Sequence, residues 1–376
     1  MKTISAIRPP LHGGQLRKIT EHYGIPAERL LDFSVNINPA GPPQSVMDAL
    51  RRALDDSTVV TSYPDLELAE LRHTISARSG VNPENLAIAN GFVTLLDSVL
   101  RSSEIKRCLL PEPCFSEYRN GLQNARVEVI SHRLSYENAF EFAIDTIRKE
   151  LLDHSCDAIL LANPQNPSGV LCNAVKIQSL IEIAAHLGAT VLLDEAFIDY
   201  CPSASVVRRG MEDANVIVFR SVTKFFAIPG LRVAYAIGAP SKIRAMNRLI
   251  APWAVTNLAS VAVCAALADQ AYADESRVTN ERQRSWLEAE FAKLQVATYP
   301  SHTNFLLLRF PRHINVDLLW ERMIVEEEIV LRSCANFQEL APGHLRSAVR
   351  SEADNERLIC GLKRVLANLE GGGIHD

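Results

Sequence analysis

The feature that most constrains the fold is a regular alternation between short apolar runs and helical stretches in the middle of the chain. The apolar runs lie at 107–110, 127–130, 157–162, 189–193, 215–219 and 232–238. Between two of them, residues 173–187 place Ile177, Leu180, Ile181 and Ala184 on one face of a helix. Strands that alternate with helices of this length form an α/β layer around a mainly parallel sheet. Ligands of such sheets bind at the carboxyl ends of the strands.

The chain on either side of this region has a different pattern. Residues 1–45 are broken by Gly13-Gly14 and by the Asn- and Pro-rich stretch 36–43, which is typical of an arm. Beyond a basic stretch, long helical patterns continue to about residue 296, and strands are predicted at 304–308 and 329–332. We therefore predict an N-terminal arm (1–45) that joins a smaller α/β C-terminal domain (246–376), beside a large ligand-binding domain (46–245).

Composition excludes several classes of protein. The 376 residues carry a formal net charge of −5, which argues against nucleic-acid binding. No apolar run approaches the roughly 18 residues of a membrane span, and the N-terminus lacks the apolar core of a signal peptide. The 8 cysteines form no CxxC pair, so we expect free thiols rather than disulfides or a metal site. The expectation is a cytoplasmic protein without a nucleic-acid or membrane partner.

The stretch SVTKFFAIPGLR at 221–232 carries the strongest chemical signal. It follows the apolar run 216–219 and offers Ser221, Thr223, Lys224 and Arg232. A lysine amine can form a Schiff base with a carbonyl group, and hydroxyls with a guanidinium can hold phosphate oxygens. A phosphorylated carbonyl cofactor would suit this set of groups. The alternative is a surface lysine and arginine beside a strand.

Two further motifs follow predicted strands. The loop NPQNPSG at 163–169 places Asn166 at a strand end, where its amide could donate to a phenolate oxygen. Asp194 ends an apolar strand, where a carboxylate requires a partner. A protonated pyridine nitrogen would be such a partner. A plain turn for the loop and a helix N-cap for Asp194 are the structural alternatives.

Arginines in the last third of the chain point to an anionic substrate. Arg332, Arg346 and Arg350 lie within a short stretch of an acidic protein, and arginine is suited to bidentate capture of carboxylate or phosphate. Their presence indicates a substrate with more than one anionic group, although exposed surface arginines are the common alternative.

Taken in order, these motifs resemble the fold-type I pyridoxal-phosphate enzymes, which have the aspartate aminotransferase fold. The resemblance runs through YPD at 63–65, the loop 163–169, LLDEAFIDY at 192–200, the stretch 221–232 and the C-terminal arginines. It implies pyridoxal 5′-phosphate as the cofactor. It also implies a homodimer with shared active sites, in which Tyr63 reaches the cofactor phosphate of the neighbouring subunit.

The resemblance assigns a role to each matching residue. Lys224 and Asp194 match the catalytic lysine and the partner of the pyridinium nitrogen. The cofactor contacts are expected from Asn90, Gly91, Phe115, Asn166, Phe197, Ser221, Thr223 and Arg232. The substrate contacts are expected from His12, Gly13, Asn36, Asn166, Arg332 and Arg346, with the carboxylate at Arg346 and the phosphate near His12 and Arg332.

Within this fold type, the chain is most similar to the decarboxylases of cobalamin biosynthesis that act on a phosphorylated amino acid. HGG at 12–14, LDFSVNINPAGPP at 31–43 and RSCANF at 332–337 carry this similarity. The histidinol-phosphate aminotransferases share the fold but usually have tyrosine at the position of Phe197. Three alternatives remain: an aminotransferase for a phosphorylated substrate, a phosphoserine decarboxylase, and a cofactor-binding protein without catalysis.

The sequence ANGFVTL at 89–95 departs from the family pattern. The family usually has a polar run after Asn90-Gly91, whereas this chain has Phe92 and Val93. Cofactor phosphate contacts from this loop are therefore expected only from backbone N–H groups and Thr94.

Overall fold

The computed structural model describes residues 9–10, 12–208 and 213–371. The strands are β1 (Leu31–Asp32), β2 (Leu86–Ala89), β3 (Arg107–Glu112), β4 (Glu128–Arg133), β5 (Ala158–Ala162), β6 (Thr190–Asp194), β7 (Val216–Ser221), β8 (Ala234–Gly238), β9 (Phe305–Arg309), β10 (Ile329–Val330), β11 (Arg332–Ser333) and β12 (His344–Ala348). The helices are α1 (Leu16–Tyr23), α2 (Gln44–Leu54), α3 (Thr58–Thr61), α4 (Ala69–Ser79), α5 (Phe92–Ser102), α6 (Ser116–Asn124), α7 (Ile144–Asp153), α8 (Ala174–His186), α9 (Pro240–Asn247), α10 (Asn257–Ala268), α11 (Gln270–Lys293), α12 (Val316–Glu327) and α13 (Glu352–Gly371).

The large sheet holds the strands predicted from the apolar runs. Within the described residues its 7 strands follow the order β2-β8-β7-β6-β5-β3-β4. The pairs among β3, β4, β5, β6 and β7 are parallel, whereas β8 is antiparallel to both of its neighbours. The prediction of a mainly parallel sheet is thus confirmed, with β8 as the exception inside it.

Burial on both faces explains why these strands are apolar throughout. Along β5, Ala158 and Leu160 belong to the core on one face, and Ile159 and Leu161 belong to the core on the other. Strands between two layers of helices lack the alternation of polar and apolar residues seen in half-exposed strands. The large sheet is therefore the middle layer of a three-layer structure.

The last third of the chain builds a second core together with the N-terminal segment. β9, β12 and β11 form an antiparallel sheet, and β1 pairs in parallel with β10. Ile19 and Phe33 are buried in the same cluster as Leu319 and Leu362. The N-terminal segment therefore packs with the C-terminal residues.

The predicted domain limits remain a proposal. Helix α10 packs against α2 and α4, and its Ala262 and Val263 share a core with Ile75 of α4. These contacts favour extending the large part beyond residue 245, as far as α11. None of the helices in the described part of the chain combines the length and the apolarity of a membrane span.

Candidate active site

Three neighbouring strands of the large sheet end at one edge, and the predicted motifs follow them. β5, β6 and β7 run parallel, with Ala162 opposite Asp194 and Asp194 opposite Phe219. The loop 163–169 therefore leaves the sheet beside Asp194, and Lys224 lies shortly after the end of β7. This edge is where parallel α/β sheets bind their ligands.

Asp194 is a buried carboxylate, and both of its oxygens accept hydrogen bonds. Tyr118 donates its hydroxyl to Oδ2 at 2.6 Å, and the backbone amide of Ala196 donates to Oδ1 at 2.8 Å. Burial raises the pKa of Asp194, whereas the two hydrogen bonds and the charge of Lys224 act in the opposite direction. A further cation in the site would lower this pKa, because it favours the charged carboxylate. Asp194 is therefore suited to pair with a protonated ring nitrogen.

Lys224 lies where several charges of the site meet. Its Nζ donates to Thr223 Oγ1 at 3.3 Å. Burial lowers the pKa of Lys224 most, and the guanidinium groups of Arg232 and Arg346 lower it further, whereas Asp194 raises it. A lowered pKa increases the fraction of neutral amine, which is the form that attacks a carbonyl carbon. The environment thus suits a lysine nucleophile.

Hydroxyls, a glycine and an arginine form the part of the site suited to a phosphate. Ser221 Oγ and Thr223 Oγ1 are buried and lie 2.8 Å apart. Gly91 has φ +114°, and a Cβ on it would lie 3.0 Å from Arg232 Nη2. Because Gly91 lacks that atom, the backbone before α5 approaches the guanidinium closely. Backbone amides at a helix start, hydroxyls and a guanidinium are the usual ligands of a phosphate group.

The unusual loop 89–95 uses its apolar residues for packing. The Phe92 ring lies 5.1 Å from that of Phe219 and 5.4 Å from that of Tyr118, measured between centroids. Thr94 donates its hydroxyl to Asn90 Oδ1 at 2.7 Å. The contact of backbone amides of this loop with the cofactor phosphate remains a prediction. Phe92 has a packing role, because its ring lies against Phe219 of β7 and against Tyr118, which bonds to Asp194.

Arg346 is held in place by protein groups on two sides. Its Nη1 donates to Asn166 Oδ1 at 2.6 Å, and its guanidinium carbon lies 4.9 Å from the centroid of the Phe305 ring, against which Phe197 packs at 5.0 Å. Burial lowers the pKa of Arg346 to about 10. Among the described residues, Arg346 Nε and Asn36 Oδ1 are buried without a hydrogen-bond partner. Such atoms are commonly satisfied by a bound ligand or water.

Arg332 lies next to Arg346 on the neighbouring strand. The two residues are register partners of β11 and β12, so their side chains leave the same face of the sheet. The guanidinium of Arg332 donates to the carbonyl oxygens of Pro10 at 3.0 Å and of Ser333 at 2.7 Å, and to Asn336 Oδ1 at 2.7 Å. Two arginines are therefore side by side, one of them bonded to the N-terminal segment.

The N-terminal segment reaches this region through His12 and Gly13. His12 Nε2 lies 3.3 Å from Glu117 Oε1, and the His12 ring lies 6.4 Å from that of Phe115. A Cβ at Gly13 would lie 2.2 Å from the carbonyl oxygen of Ser34, so only glycine fits there. Close packing of the backbone thus explains this glycine without a ligand.

Tyr63 differs from the other predicted site residues because it is exposed. Its relative exposure is 79%, and its ring lies against that of Trp253 at 4.6 Å. Its predicted contact with the cofactor of a neighbouring subunit remains a prediction.

Two groups of this site escaped the sequence analysis. Tyr118 contacts Asp194 but belongs to no motif, because its role depends on α6 lying beside the end of β6.

Glu195, within the identified motif, is fully buried and accepts from Arg220 at 3.4 Å, while Arg220 also pairs with Asp199 at 2.8 Å. The spacing of acidic residues at 194, 195 and 199 followed by Arg220 was a signal for this ion-pair network.

The residues present fit pyridoxal 5′-phosphate. Asp194 offers a carboxylate for the ring nitrogen, Lys224 an amine for the carbonyl carbon, and Ser221, Thr223 and Arg232 a set of phosphate ligands. These groups converge on one edge of the sheet, as the geometry above describes. The fold and the site together define a fold-type I pyridoxal-phosphate enzyme.

Comparison with known proteins agrees with this class. The family model "Aminotransferase class I and II" matches residues 28–362, and the chain belongs to this family. It is 33% identical over 368 residues to the threonine-phosphate decarboxylase of Salmonella typhimurium, covering 95% of this chain and 97% of that protein. The predicted family, fold class and pyridoxal-phosphate cofactor are thereby confirmed.

Solved structures show the same fold. The histidinol-phosphate aminotransferase of Clostridium acetobutylicum superposes with a TM-score of 0.84 at 27% identity, covering 90% of this chain and 100% of that one. The L-threonine-O-3-phosphate decarboxylase of Porphyromonas gingivalis gives 0.77 at 23% identity, with 89% and 99% covered. Decarboxylases and aminotransferases therefore share this fold. The fold alone does not distinguish the two activities, so the residues of the site have to be used for that purpose.

Proposed function

We propose that this protein is a pyridoxal-phosphate-dependent decarboxylase that converts L-threonine O-3-phosphate into (R)-1-aminopropan-2-ol O-2-phosphate. This product supplies the linker of the cobamide nucleotide loop. The observation that carries the proposal is the pair of neighbouring arginines, Arg332 and Arg346, at the edge of a lysine site. The similarity to a threonine-phosphate decarboxylase along nearly the whole chain supports it.

Two arginines suit a substrate with two anionic groups. Arg346 donates to Asn166, in the loop that leaves the sheet beside Asp194, and it lowers the pKa of Lys224; this position suits the α-carboxylate. Arg332 affects the pKa of Arg346 and lies one strand further on, and it bonds to the segment that carries His12. Charge-assisted, bidentate contacts fix both ends of such a substrate. We propose that Arg346 takes the carboxylate, and that Arg332 and His12 take the phosphate.

The residues of the chain orient the substrate and handle protons, while the cofactor supplies an electron sink when bound. Holding the substrate by two anionic groups decides which bond at the α-carbon is cleaved. Decarboxylation releases CO2 and requires a proton to return to that carbon. Lys224 is the group proposed for this transfer, since burial lowers its pKa and so makes its proton easier to transfer. Asp194 is proposed to hold the ring nitrogen in its protonated form.

Product analysis tests this proposal directly. Purified, cofactor-loaded protein is given O-phospho-L-threonine without a keto acid, and CO2 and the phosphorylated amino alcohol are measured. Catalytic release of both in equal amounts is the expected result. Amino transfer to added 2-oxoglutarate without CO2 would instead establish the aminotransferase alternative, and preference for O-phospho-L-serine would make the protein a phosphoserine decarboxylase.

We also propose that the protein is a homodimer in which Tyr63 serves the partner's active site. Several apolar side chains near Tyr63 are exposed: Val60 by 66%, Leu66 by 60% and Trp253 by 44%. Exposed apolar groups in such proximity are typical of an interface between subunits.

The test is to mix two inactive variants, Tyr63→Ala and Lys224→Ala. If sites are shared, one of the two sites of each hybrid dimer pairs intact residues, so a hybrid should regain about half of the wild-type activity and a random mixture of the two variants about a quarter. If mixing restores no activity, Tyr63 does not contribute to the active site of the partner subunit.

The location and the domain limits complete the proposal. The cysteines, all within the described residues, are free, which supports a reducing compartment such as the cytoplasm. An arm (1–45), a large domain that begins at 46 and a small C-terminal domain remain the proposed division.

A further inference from the structure

Asn38 is a buried asparagine that contacts the loop of the catalytic lysine from behind. Its backbone N–H donates to the carbonyl oxygen of Lys224 at 3.0 Å. Its side-chain Nδ2 donates to the carbonyl oxygen of Phe225 at 3.0 Å and to Ser276 Oγ at 2.9 Å, while Oδ1 accepts from the Ala40 amide at 3.1 Å. All hydrogen-bonding groups of this side chain are thus used, and they connect the lysine loop to α11.

Helix α11 supplies a second set of contacts to the same loop. Tyr272 donates its hydroxyl to Gly41 O at 2.6 Å, with Phe225 O at 3.4 Å, and its ring stacks on that of Phe226. Arg277 lies over the Phe225 ring at 5.7 Å. The loop after Lys224 is therefore fixed between the N-terminal segment and α11.

The lysine loop requires such support because its backbone is strained. Ala227 has φ +52°, in the left-handed region that side chains other than glycine rarely adopt. Conformations of this kind persist only where the surroundings hold them. The hydrogen bonds from Asn38 reach the consecutive carbonyl groups of residues 224 and 225, three and two positions before Ala227, and hold the loop next to this point.

The segment that carries Asn38 also contacts the substrate end of the site. Phe33 O accepts from the amide of Ala348, two positions after Arg346 on β12. One continuous stretch, 33–38, thus bonds both to the strand of the proposed carboxylate ligand and to the backbone of the lysine.

We propose that Asn38 is a positioning residue for Lys224, which sets the direction in which the lysine side chain leaves its loop toward the substrate. This inference rests on the proposed role of Lys224. Asn38 does not contact the reacting atoms; it acts through the carbonyl groups at 224 and 225. Loss of its side-chain amide removes the bonds to the 225 carbonyl and to Ser276 and leaves only the backbone bond to the 224 carbonyl, so the loop is held less firmly and Nζ no longer returns to one position.

The experiment compares Asn38→Ala with Asn280→Ala in the cofactor-loaded protein. Asn280 is a matched control, because it is a buried asparagine of α11 whose Nδ2 donates to Thr303 O, away from the lysine loop. For each variant, kcat and KM, the thermal midpoint and the pH titration of the cofactor's visible absorbance are measured. The absorbance titration reports the lysine–cofactor linkage and does not depend on which substrate is correct.

For Asn38→Ala we expect kcat to fall about 10- to 100-fold, since misplacing a reacting group by about 1 Å costs about 10²-fold. KM should change little, and the absorbance titration should move by about half a pH unit, the scale of one altered hydrogen bond. Asn280→Ala should lower the thermal midpoint comparably but leave kcat and the titration unchanged. Asn38→Ser, which shortens the side chain, removes the amide and stays uncharged, carries the same test if the alanine variant does not fold.

The outcomes separate this proposal from the proposed function. Equal effects of Asn38→Ala and Asn280→Ala on kcat and on the titration would overturn the positioning role and leave a structural one. Absorbance that persists unchanged in Lys224→Ala would instead overturn the role of Lys224 itself. If no CO2 is released from O-phospho-L-threonine, the proposed substrate is wrong. The absorbance titration of Asn38→Ala still tests the positioning role, because it is measured without a substrate.

Discussion

The cofactor end and the substrate end of this site are built in different ways. At the cofactor end, Asp194 and Ser221 end two neighbouring parallel strands of one sheet, and Lys224 follows the second of these strands. At the substrate end, Arg346 and Arg332 belong to a second sheet, and they bond across the chain to Asn166 and Pro10. The positions of the cofactor-binding residues follow from where the strands of one sheet stop. The positions of the two arginines depend on contacts between segments that are far apart in sequence. Removal of the lysine at the cofactor end should therefore abolish chemistry, whereas changes at the substrate end should lower the activity on the anionic substrate.

The largest effect is expected from Lys224→Ala. Turnover should fall on the order of 10⁶-fold, as for removal of a covalent catalytic group in other enzymes, and the visible absorbance of the bound cofactor should change. Lys224→Arg is the control, because it retains the charge but cannot form the covalent bond, and it should be equally inactive. Normal turnover in either variant would discard the assignment of this lysine.

The next effect is expected from Arg346→Gln. Removing one partner of a buried charged pair costs about 2–5 kcal/mol, so kcat/KM should fall roughly 30- to 5,000-fold while the cofactor stays bound. Because Arg346 lowers the pKa of Lys224, its removal should raise that pKa. A lysine that returns a proton to the α-carbon must be protonated, so the alkaline limb of the pH–rate profile should move to higher pH. Steady-state kinetics across pH measure both effects. An unchanged alkaline limb would show that the two groups do not interact in the working enzyme.

A smaller and more selective effect is expected from Arg332→Ala. A charge-assisted hydrogen bond contributes about 1.5–3 kcal/mol, so activity on the phosphorylated amino acid should fall roughly 10- to 100-fold. Activity on unphosphorylated threonine, however low, should stay the same. Arg350→Ala is the control, since the Arg350 guanidinium donates to Asp354 and to the Asp32 carbonyl and not to the acceptors that Arg332 and Arg346 use. Equal losses on both substrates would mean that Arg332 does not read the phosphate.

The smallest effect is expected from Tyr118→Phe. The Tyr118 hydroxyl lowers the pKa of Asp194 against the larger, opposite effect of burial. Without it the pKa rises further, so the ionised carboxylate, which is present only above its pKa, is lost at a higher pH. Activity should fall a few-fold near neutral pH and more steeply under acid conditions. The pH profile of kcat measures this, with Tyr136→Phe, away from Asp194, as the control; identical profiles would remove Tyr118 from the site.

The sequence predicted the cofactor end better than the substrate end, for a physical reason. Asp194 and Lys224 follow apolar runs that are buried on both faces of the sheet, so their position follows from the rule for parallel strands. Arg332 and Arg346 were identified by residue type, but their pairing depends on the register of β11 and β12. Register between strands distant in sequence is not contained in a local pattern.

Asn38 and Tyr118 could not be predicted for the same reason. Asn38 bonds to residues 187 and 238 positions away, and Tyr118 to one 76 positions away. The sequence around Asn38 predicts a broken, extended arm and carries part of the family resemblance, but neither observation predicts the contacts of Asn38. Neither residue belongs to a motif with a local physical meaning.

The fixed setting of Arg346 has one more consequence, which concerns entropy. A free arginine side chain has about 2 kcal/mol of rotamer entropy to lose when a ligand immobilises it. Here Asn166 and the Phe305 ring already restrict the guanidinium, so that loss occurs during folding and not during binding. A carboxylate therefore meets a preorganised partner, and more of its interaction energy remains available for orienting the α-carbon.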